Sequence, residues 1–255
     1  MKRRTRKIDR LNVFLRCFVI QASWNFKSLL GLGFCFSVIP LARRLYRTQE
    51  ERSAFLRRHL EFFNAHPYFA SWCLGAVTRL EEEAIEKKWP DKQPISVFKT
   101  RISGPLGGLG DQLFWSRLKP FAGALAVCLG ILYGMMAIPI FLAVYNVPHF
   151  AVRRYGMKLS YAKGFDIINI LSKWRFKNIS AALSYMGLLL AGFLVIIAAD
   201  WSLSRSRTAF VAFWACGAAA AVLIYFKRSV QTILLTTFIF SLLIGWLFFI
   251  TGIVN

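Results

Sequence analysis

Acidic side chains are what this 255-residue chain has least of, with 12 Asp and Glu against 33 Lys and Arg and a net charge of +21. Such an excess would suit a nucleic-acid binder, but that reading needs a soluble basic face interleaved with aromatics. Here the bases cluster between apolar runs, so nucleic acid is not an expected partner. Histidine is scarce too: His59, His66 and His149 share no metal-ligand spacing with nearby acids, and no metal centre is expected. Cys17, Cys35, Cys73, Cys128 and Cys216 have no paired spacing and read as small core residues rather than a disulfide framework. The main glycine run lacks the Gly-Lys-Ser/Thr ending of a phosphate loop. No Ser–His–acid arrangement can be set out from spacing. Autonomous catalysis, catalytic residues on this chain and a bound cofactor are therefore not expected.

What the chain has in abundance is apolar length. It is 56% hydrophobic with a mean hydropathy of +0.48. Ile179–Ala199 and Val230–Val254 are long enough to cross a bilayer, Ala209–Phe226 is shorter, and Phe121–Val147 carries Gly123, Gly130, Gly134 and Pro139, which predict a kink or break. Arg153–Lys177 holds seven bases and one acid, Asp166, and by the positive-inside rule is a cytoplasmic loop. The link Asp200–Arg207 is then external, although Arg205 and Arg207 sit in it.

The first hundred residues differ. Met1–Arg10 is basic, and Leu11–Phe18 is too short and too charged to span, so an amphipathic helix on the cytoplasmic face is expected. Leu29–Ala42 has about half the length of a transmembrane helix and is expected to end at Ile39-Pro40 as a re-entrant or half-helix. Arg43–Phe63 has the spacing of a surface helix. Leu80–Trp89, with three consecutive glutamates before Pro90, reads as a solvated helix end.

Residues 102–115, Ile-Ser-Gly-Pro-Leu-Gly-Gly-Leu-Gly-Asp-Gln-Leu-Phe-Trp, are the most informative stretch. Glycine entropy and the missing donor of Pro105 argue against a regular spanning helix, while the run is too apolar for an ordinary loop. In a membrane such backbone is tolerated where protein buries it or where it lines a watery cavity. An intramembrane acid such as Asp111 is by default a functional candidate. With the Gly31–Pro40 segment it forms the pair of broken elements seen near midplane transporter sites. The expected fold class is an all-α integral membrane protein with several transmembrane helices plus re-entrant and amphipathic segments in its N-terminal half. The expected organisation is a basic amphipathic segment over 1–22, a core with re-entrant segments and the basic loop over 23–178, and C-terminal transmembrane helices over 179–255.

Several motifs occur in a telling order: Ser23-Trp24-Asn25, Gly33-Phe34 with Ile39-Pro40, the run from Arg58-His59-Leu60-Glu61-Phe62-Phe63-Asn64-Ala65-His66 to Pro67-Tyr68, Leu80-Glu81-Glu82-Glu83, and Gly104-Pro105-Leu106 through Gly110-Asp111 to Phe114-Trp115. Over about Ser23 to Gly164 the chain resembles the IID component of the mannose/fructose/sorbose family of bacterial sugar phosphotransferase systems (PTS). Val38, Gly107, Gln112 and the short Asp200–Arg207 segment depart from the usual family pattern and mark a divergent member.

The resemblance implies a multi-pass protein of the bacterial inner membrane. A IIC membrane subunit would form with it the pathway for a hexose, a soluble IIB (fed by IIA) would phosphorylate the sugar, and the units would assemble as a trimer of IIC–IID pairs in membrane lipid. Side-chain chemistry suggests roles for individual residues, each with a structural alternative. Asp111 binds a sugar hydroxyl or a partner's base, or else caps a helix beginning near Leu113. Trp115 stacks on a pyranose face, or else sits at the membrane interface. Asn64 and His66 hydrogen-bond hydroxyls, or else cap a helix and pack structurally. Gly104, Pro105, Gly107, Gly108 and Gly110 supply the pathway backbone. Glu61 is expected to pair with Arg57 or Arg58, and Trp24 and Asn25 to anchor the N-terminal helix. Two functions stay open at this level: a sugar-translocating subunit, and a transport-deficient docking or regulatory subunit for soluble PTS proteins.

Overall fold

A computed structural model describes residues 4–173, 176–205 and 207–250. Eleven α-helices make up almost all of them: α1 Lys7–Arg16, α2 Gly31–Leu45, α3 Gln49–Leu60, α4 Ala70–Glu86, α5 Gln93–Gly110, α6 Lys119–Tyr133, α7 Ala137–Lys163, α8 Ile167–Lys173, α9 Phe176–Arg205, α10 Arg207–Tyr225 and α11 Val230–Ile250. The described residues contain no strand, only isolated bridges from Leu29 to Asn25 and Phe63. They fall into two compact units, divided between Gly187 and Leu188.

The core of the first unit is the crossing of α4 and α7. A Cβ on Gly75 would overlap Ser160 and the Met157 carbonyl, and one on Gly156 would overlap the Trp72 ring. Small residues on both helices thus bring the backbones together, the device by which helices associate where no hydrophobic gain separates protein from lipid. Gly33 does the same for α2, whose backbone abuts the Ile20 carbonyl. Phe34, Phe55, Phe63, Phe69 and Trp72 fill the space between and are fully buried.

Buried acids lock this core. Glu81 Oε1 accepts from Arg58 Nη2 at 2.8 Å and lies 3.0 Å from His59 Nε2, while Oε2 accepts from the Tyr46 hydroxyl at 2.6 Å. Burial alone would raise the Glu81 carboxyl, but the His59 hydrogen bond, the Arg58 charge and the Tyr46 hydroxyl bring it down to about 2. Burial lowers His59, so the ring is neutral, donates through Nε2, and Arg58 carries the countercharge. Glu82 accepts from the Thr5 backbone N–H at 2.9 Å, from the Thr5 hydroxyl, and from Tyr161 at 2.9 Å, tying the start of α1 to α7. The glutamates expected to be solvated are therefore core residues: Glu81 and Glu82 are 0% and 1% exposed, with donors from α3, α7, the α2–α3 connection and the segment before α1.

Other expectations are corrected. α2 does not stop at Pro40 but runs to Leu45, since the packed Val38, Leu41 and Leu45 outweigh one missing donor. The glycine run is helical: α5 continues through Gly110, passes into a π-helical stretch Asp111–Leu118, and leads directly into α6. Helix is the one local structure that satisfies its own backbone in an apolar setting, which outweighs the glycine entropy. The wide turn of the π-helix takes up an irregularity without breaking the chain. The break comes instead inside Phe121–Val147, at Gly134, whose φ of +60° ends α6. Arg153–Lys177 is not an open loop: α7 carries it to Lys163, a 3₁₀ turn spans Gly164–Asp166, and α8 follows. Residues 174 and 175, and the side chains of 173–177, lie outside the described residues, as do 1–3, the 251–254 end of the last apolar run, and the side chains of Arg205 and Arg207.

Two helical stretches, Gln93–Ser172 and Asn178–Ser204, hold windows of mean hydropathy 2.3, long and apolar enough to cross a membrane. In the second unit α10 and α11 pack together, with apolar cores over 210–225 and 231–247.

Candidate functional site

The segment between α3 and α4 carries Asn64, His66 and Tyr68, and α5 with its π-helical extension packs against it. Glycine makes this possible. A Cβ on Gly107 would sit 3.7 Å from Ala65 Cα, and one on Gly110 would overlap the His66 ring. Lys99, buried on α5, fastens the other side by donating to the carbonyls of His59 and Glu61, both at 3.2 Å, and Arg58 at 3.5 Å.

His66 therefore stands in an aromatic box. Its ring stacks on Phe114 at 5.4 Å and meets Trp115 and Tyr68, each at 4.8 Å between centroids. Burial, then the charge of Arg153, lowers His66 to about 4, so it is neutral at physiological pH. Its Nδ1 accepts the Tyr68 backbone N–H at 3.2 Å, which assigns the proton to Nε2. That Nε2–H is buried and has no partner among the described residues. Leaving such a donor unsatisfied costs about 1–3 kcal/mol. Asn64 on the same segment, and Gly104, Pro105, Gly108, Asp111 and Trp115 on α5 and its extension, are exposed. Gly104, Gly108, Asp111 and Trp115 recur at helical spacing, so they form one outward stripe, and nothing lies within 4 Å of where a Cβ would sit on Gly104 or Gly108.

The structure thus brings the sequence-predicted Asn64, His66, Trp115, Gly107 and Gly110 together, and sets Asp111 next to Gly110 on the exposed stripe. Asp111 is not an N-cap: no helix starts at Leu113, because α5, the π-helical stretch and α6 are continuous. Asn64 is not a C-cap either, since α3 ends at Leu60 with Glu61 in the cap position. Glu61 is exposed, and Arg58 turns instead to Glu81. Asn25 closes a turn through bonds to Lys27 and Ser28, and Trp24 lies half-exposed against Phe26.

Sequence reasoning missed the supports behind His66. The Tyr68 ring stacks on His149 at 4.4 Å, and its hydroxyl lies 3.3 Å from that of Tyr145. Arg153, 3% exposed, donates to the Cys17 carbonyl at 2.7 Å and holds its guanidinium 4.8 Å from Phe18 and 5.0 Å from Tyr68. The only sequence signal for this was Arg153 itself, a base at the end of an apolar run. Among the described residues no group of His, Cys, Asp and Glu could hold a metal ion.

Residues 4–211 match the family described as "PTS system mannose/fructose/sorbose family IID component". The chain is similar to the "PTS system mannose-specific EIID component" of Escherichia coli (strain K12), at 37% identity over 73% of this chain and 66% of that protein, less than two thirds of its length. It is also similar to the "Fructose permease IID component" of Bacillus subtilis (strain 168), at 34% identity over 76% and 70%. Among solved structures, one named "Structure of membrane protein" aligns with a TM-score of 0.74 and 29% identity over 97% of both chains. A chain of "CryoEM Structure of Mannose Transporter ManYZ and Microcin E492 (MceA) complex" aligns with a TM-score of 0.62 and 29% identity over 98% of both.

Proposed function

We propose, from the premise that this chain belongs to the IID components of the PTS mannose/fructose/sorbose family, that it forms with a IIC subunit the path along which a hexose is bound and moved while IIB phosphorylates it. Family membership and the likeness to a chain of the mannose transporter complex support a coarser reading as well, a membrane subunit of a sugar phosphotransferase permease. The observation that carries the finer one is the buried Nε2–H of His66, unpartnered among the described residues, with Trp115 against its ring, the exposed Asn64 two residues before it and the exposed Asp111 following Gly110. A sugar hydroxyl satisfies such a donor, Asn64 and Asp111 supply further donors and acceptors, and the Trp115 ring covers an apolar sugar face. Gly104, Pro105 and Gly108 give the path an open backbone, while Gly107 and Gly110, expected from the sequence to line it as well, instead let α5 close on the 64–66 segment. The core over 23–178 holds this machinery, the helices over 179–255 fix it in the bacterial inner membrane, and the working unit is a trimer of IIC–IID pairs.

The test is uptake of radiolabelled mannose, with glucosamine and fructose as comparisons, in cells that lack hexose permeases and express the neighbouring IIC and IIB genes. Phosphorylated sugar should accumulate only when this chain is present, and Asp111→Asn should lower it while the complex still assembles. A stable complex with no uptake of any of the three would replace this reading with the docking role.

A further inference from the structure

α1 is apolar on two sides. Its inner side buries Val13 and leads to buried Cys17 and Ile20. Its outer side sets Ile8, Leu11 and Leu15 at helical spacing with Val19 following, each 45–56% exposed. The buried inner residues and the Thr5–Glu82 bonds already hold α1 on the protein, so the outer stripe is a second apolar face.

α2 runs antiparallel beside it. Arg44 Nε reaches the Arg4 carbonyl at 3.4 Å at one end, while Arg16 donates to the Phe36 carbonyl at 3.2 Å and lies 4.5 Å over the Phe36 ring further along. The outer stripe continues onto α2 as Leu32 and Phe36, and onto the connection as Trp24 and Phe26, whose rings meet edge-on at 4.8 Å. Bases border it. At one end Arg4, Arg6, Lys7, Arg43, Arg44 and Arg47 are exposed and outnumber the carboxylates that meet them, Asp9, Glu86 and, at the Arg47 backbone, Glu51. At the other end stands exposed Lys27.

We infer that this α1–α2 face is a docking surface for anionic phospholipid: it lies in the plane of one leaflet, with acyl chains against the apolar stripe and headgroup phosphates against the bases. Charge complementarity selects the occupant. A protein partner seated on the stripe would have to bring carboxylates to both ends, whereas an anionic leaflet presents phosphate along the whole rim. The length agrees, because Lys7 to Val19 spans about 20 Å at about 1.5 Å per residue, too short to cross a hydrocarbon core of about 30 Å and sufficient to lie along it. Trp24 at the connection fits the interfacial preference of that ring. The inference does not depend on which sugar, if any, the permease moves.

The test places the photoreactive side chain benzoylphenylalanine at Leu11 or Leu15 of the full chain, in membranes that also contain its IIC partner. Irradiation should add the mass of a phospholipid at both sites. A cross-link to another polypeptide, or no adduct, overturns the inference. A second measurement needs no altered apolar residue. The purified complex in nanodiscs of mixed phosphatidylglycerol and phosphatidylcholine should retain phosphatidylglycerol selectively, and Lys7→Ala and Arg43→Ala should each reduce that retention by roughly fivefold. Retention without headgroup preference, or unchanged by both substitutions, would equally overturn it.

Discussion

Gly110→Ala and Gly108→Ala lie two residues apart on different sides of α5 and should move stability in opposite directions. A methyl on Gly110 would overlap His66 Cβ and Cγ and come within 2.8 Å of its Nδ1, where ordinary contacts begin near 3.4 Å. His66 cannot simply swing away, because Phe114, Trp115 and Tyr68 enclose its ring. Overpacking of this kind costs about 1–3 kcal/mol, and the gain in helix propensity offsets about 1 kcal/mol of it. At Gly108 nothing lies within 4 Å, so only the gain remains. The two variants should therefore differ by the overpacking cost alone, or roughly 2–4 °C in unfolding midpoint for each kcal/mol. Circular dichroism on the purified complex in detergent reads that difference. Coincident midpoints, or a lower one for Gly108→Ala, would refute the placement of His66 against the α5 backbone. If the open stripe faces the sugar path, Gly108→Ala should also lower uptake without lowering the midpoint.

Other predictions follow from the buried polar groups. Glu81→Ala leaves Arg58, His59 and Tyr46 without their acceptor and should cost about 3–5 kcal/mol, read as loss of folded protein in membranes. Because the folded Glu81 carboxyl sits near 2, below its usual 4.5, its stabilisation is complete above about pH 4.5 and is lost as pH falls toward 2. It amounts to about 3 kcal/mol at most, and unfolding midpoints measured down that range should show the loss, while a flat profile would remove Glu81 as an ionised anchor. Since His66 is neutral down to about pH 4, uptake from pH 5 to 8 should show no titration at this residue, and His66→Gln, which keeps a donor, should retain more transport than His66→Ala. Gly156→Val would drive a side chain into the Trp72 ring, and the chain should fail to accumulate; normal accumulation would refute the close α4–α7 crossing.

The membrane class and part of the candidate site were legible because each rests on residues close in sequence. Apolar length exposed the later helices, and the glycine run with Asp111 and Trp115 drew attention to one side of the candidate site. Asn64 and His66 were legible through a motif, not through periodicity. What escaped was nonlocal. Glu81 and Glu82 look like a solvated helix end until Arg58, His59, Tyr46, Thr5 and Tyr161 arrive from elsewhere in the chain to satisfy them. Arg153 looks like a topology signal until Cys17, Phe18 and Tyr68 close around it. Glycine was misjudged for a related reason. Its entropic cost is local and visible, whereas the close approach of Gly107 and Gly110 to the 64–66 segment is a tertiary gain that no window of sequence displays.

The three bonds from Lys99 to the end of α3 have a mechanical meaning. They pin the start of the segment carrying Asn64 and His66 to α5, while Gly107 and Gly110 of the same helix press on its middle. Tethered at two points to one rod, the segment has no hinge of its own. A force applied to α5 reaches Asn64, His66 and the glycine stripe together, so the groups proposed to hold the sugar would travel as a single cassette instead of opening like jaws.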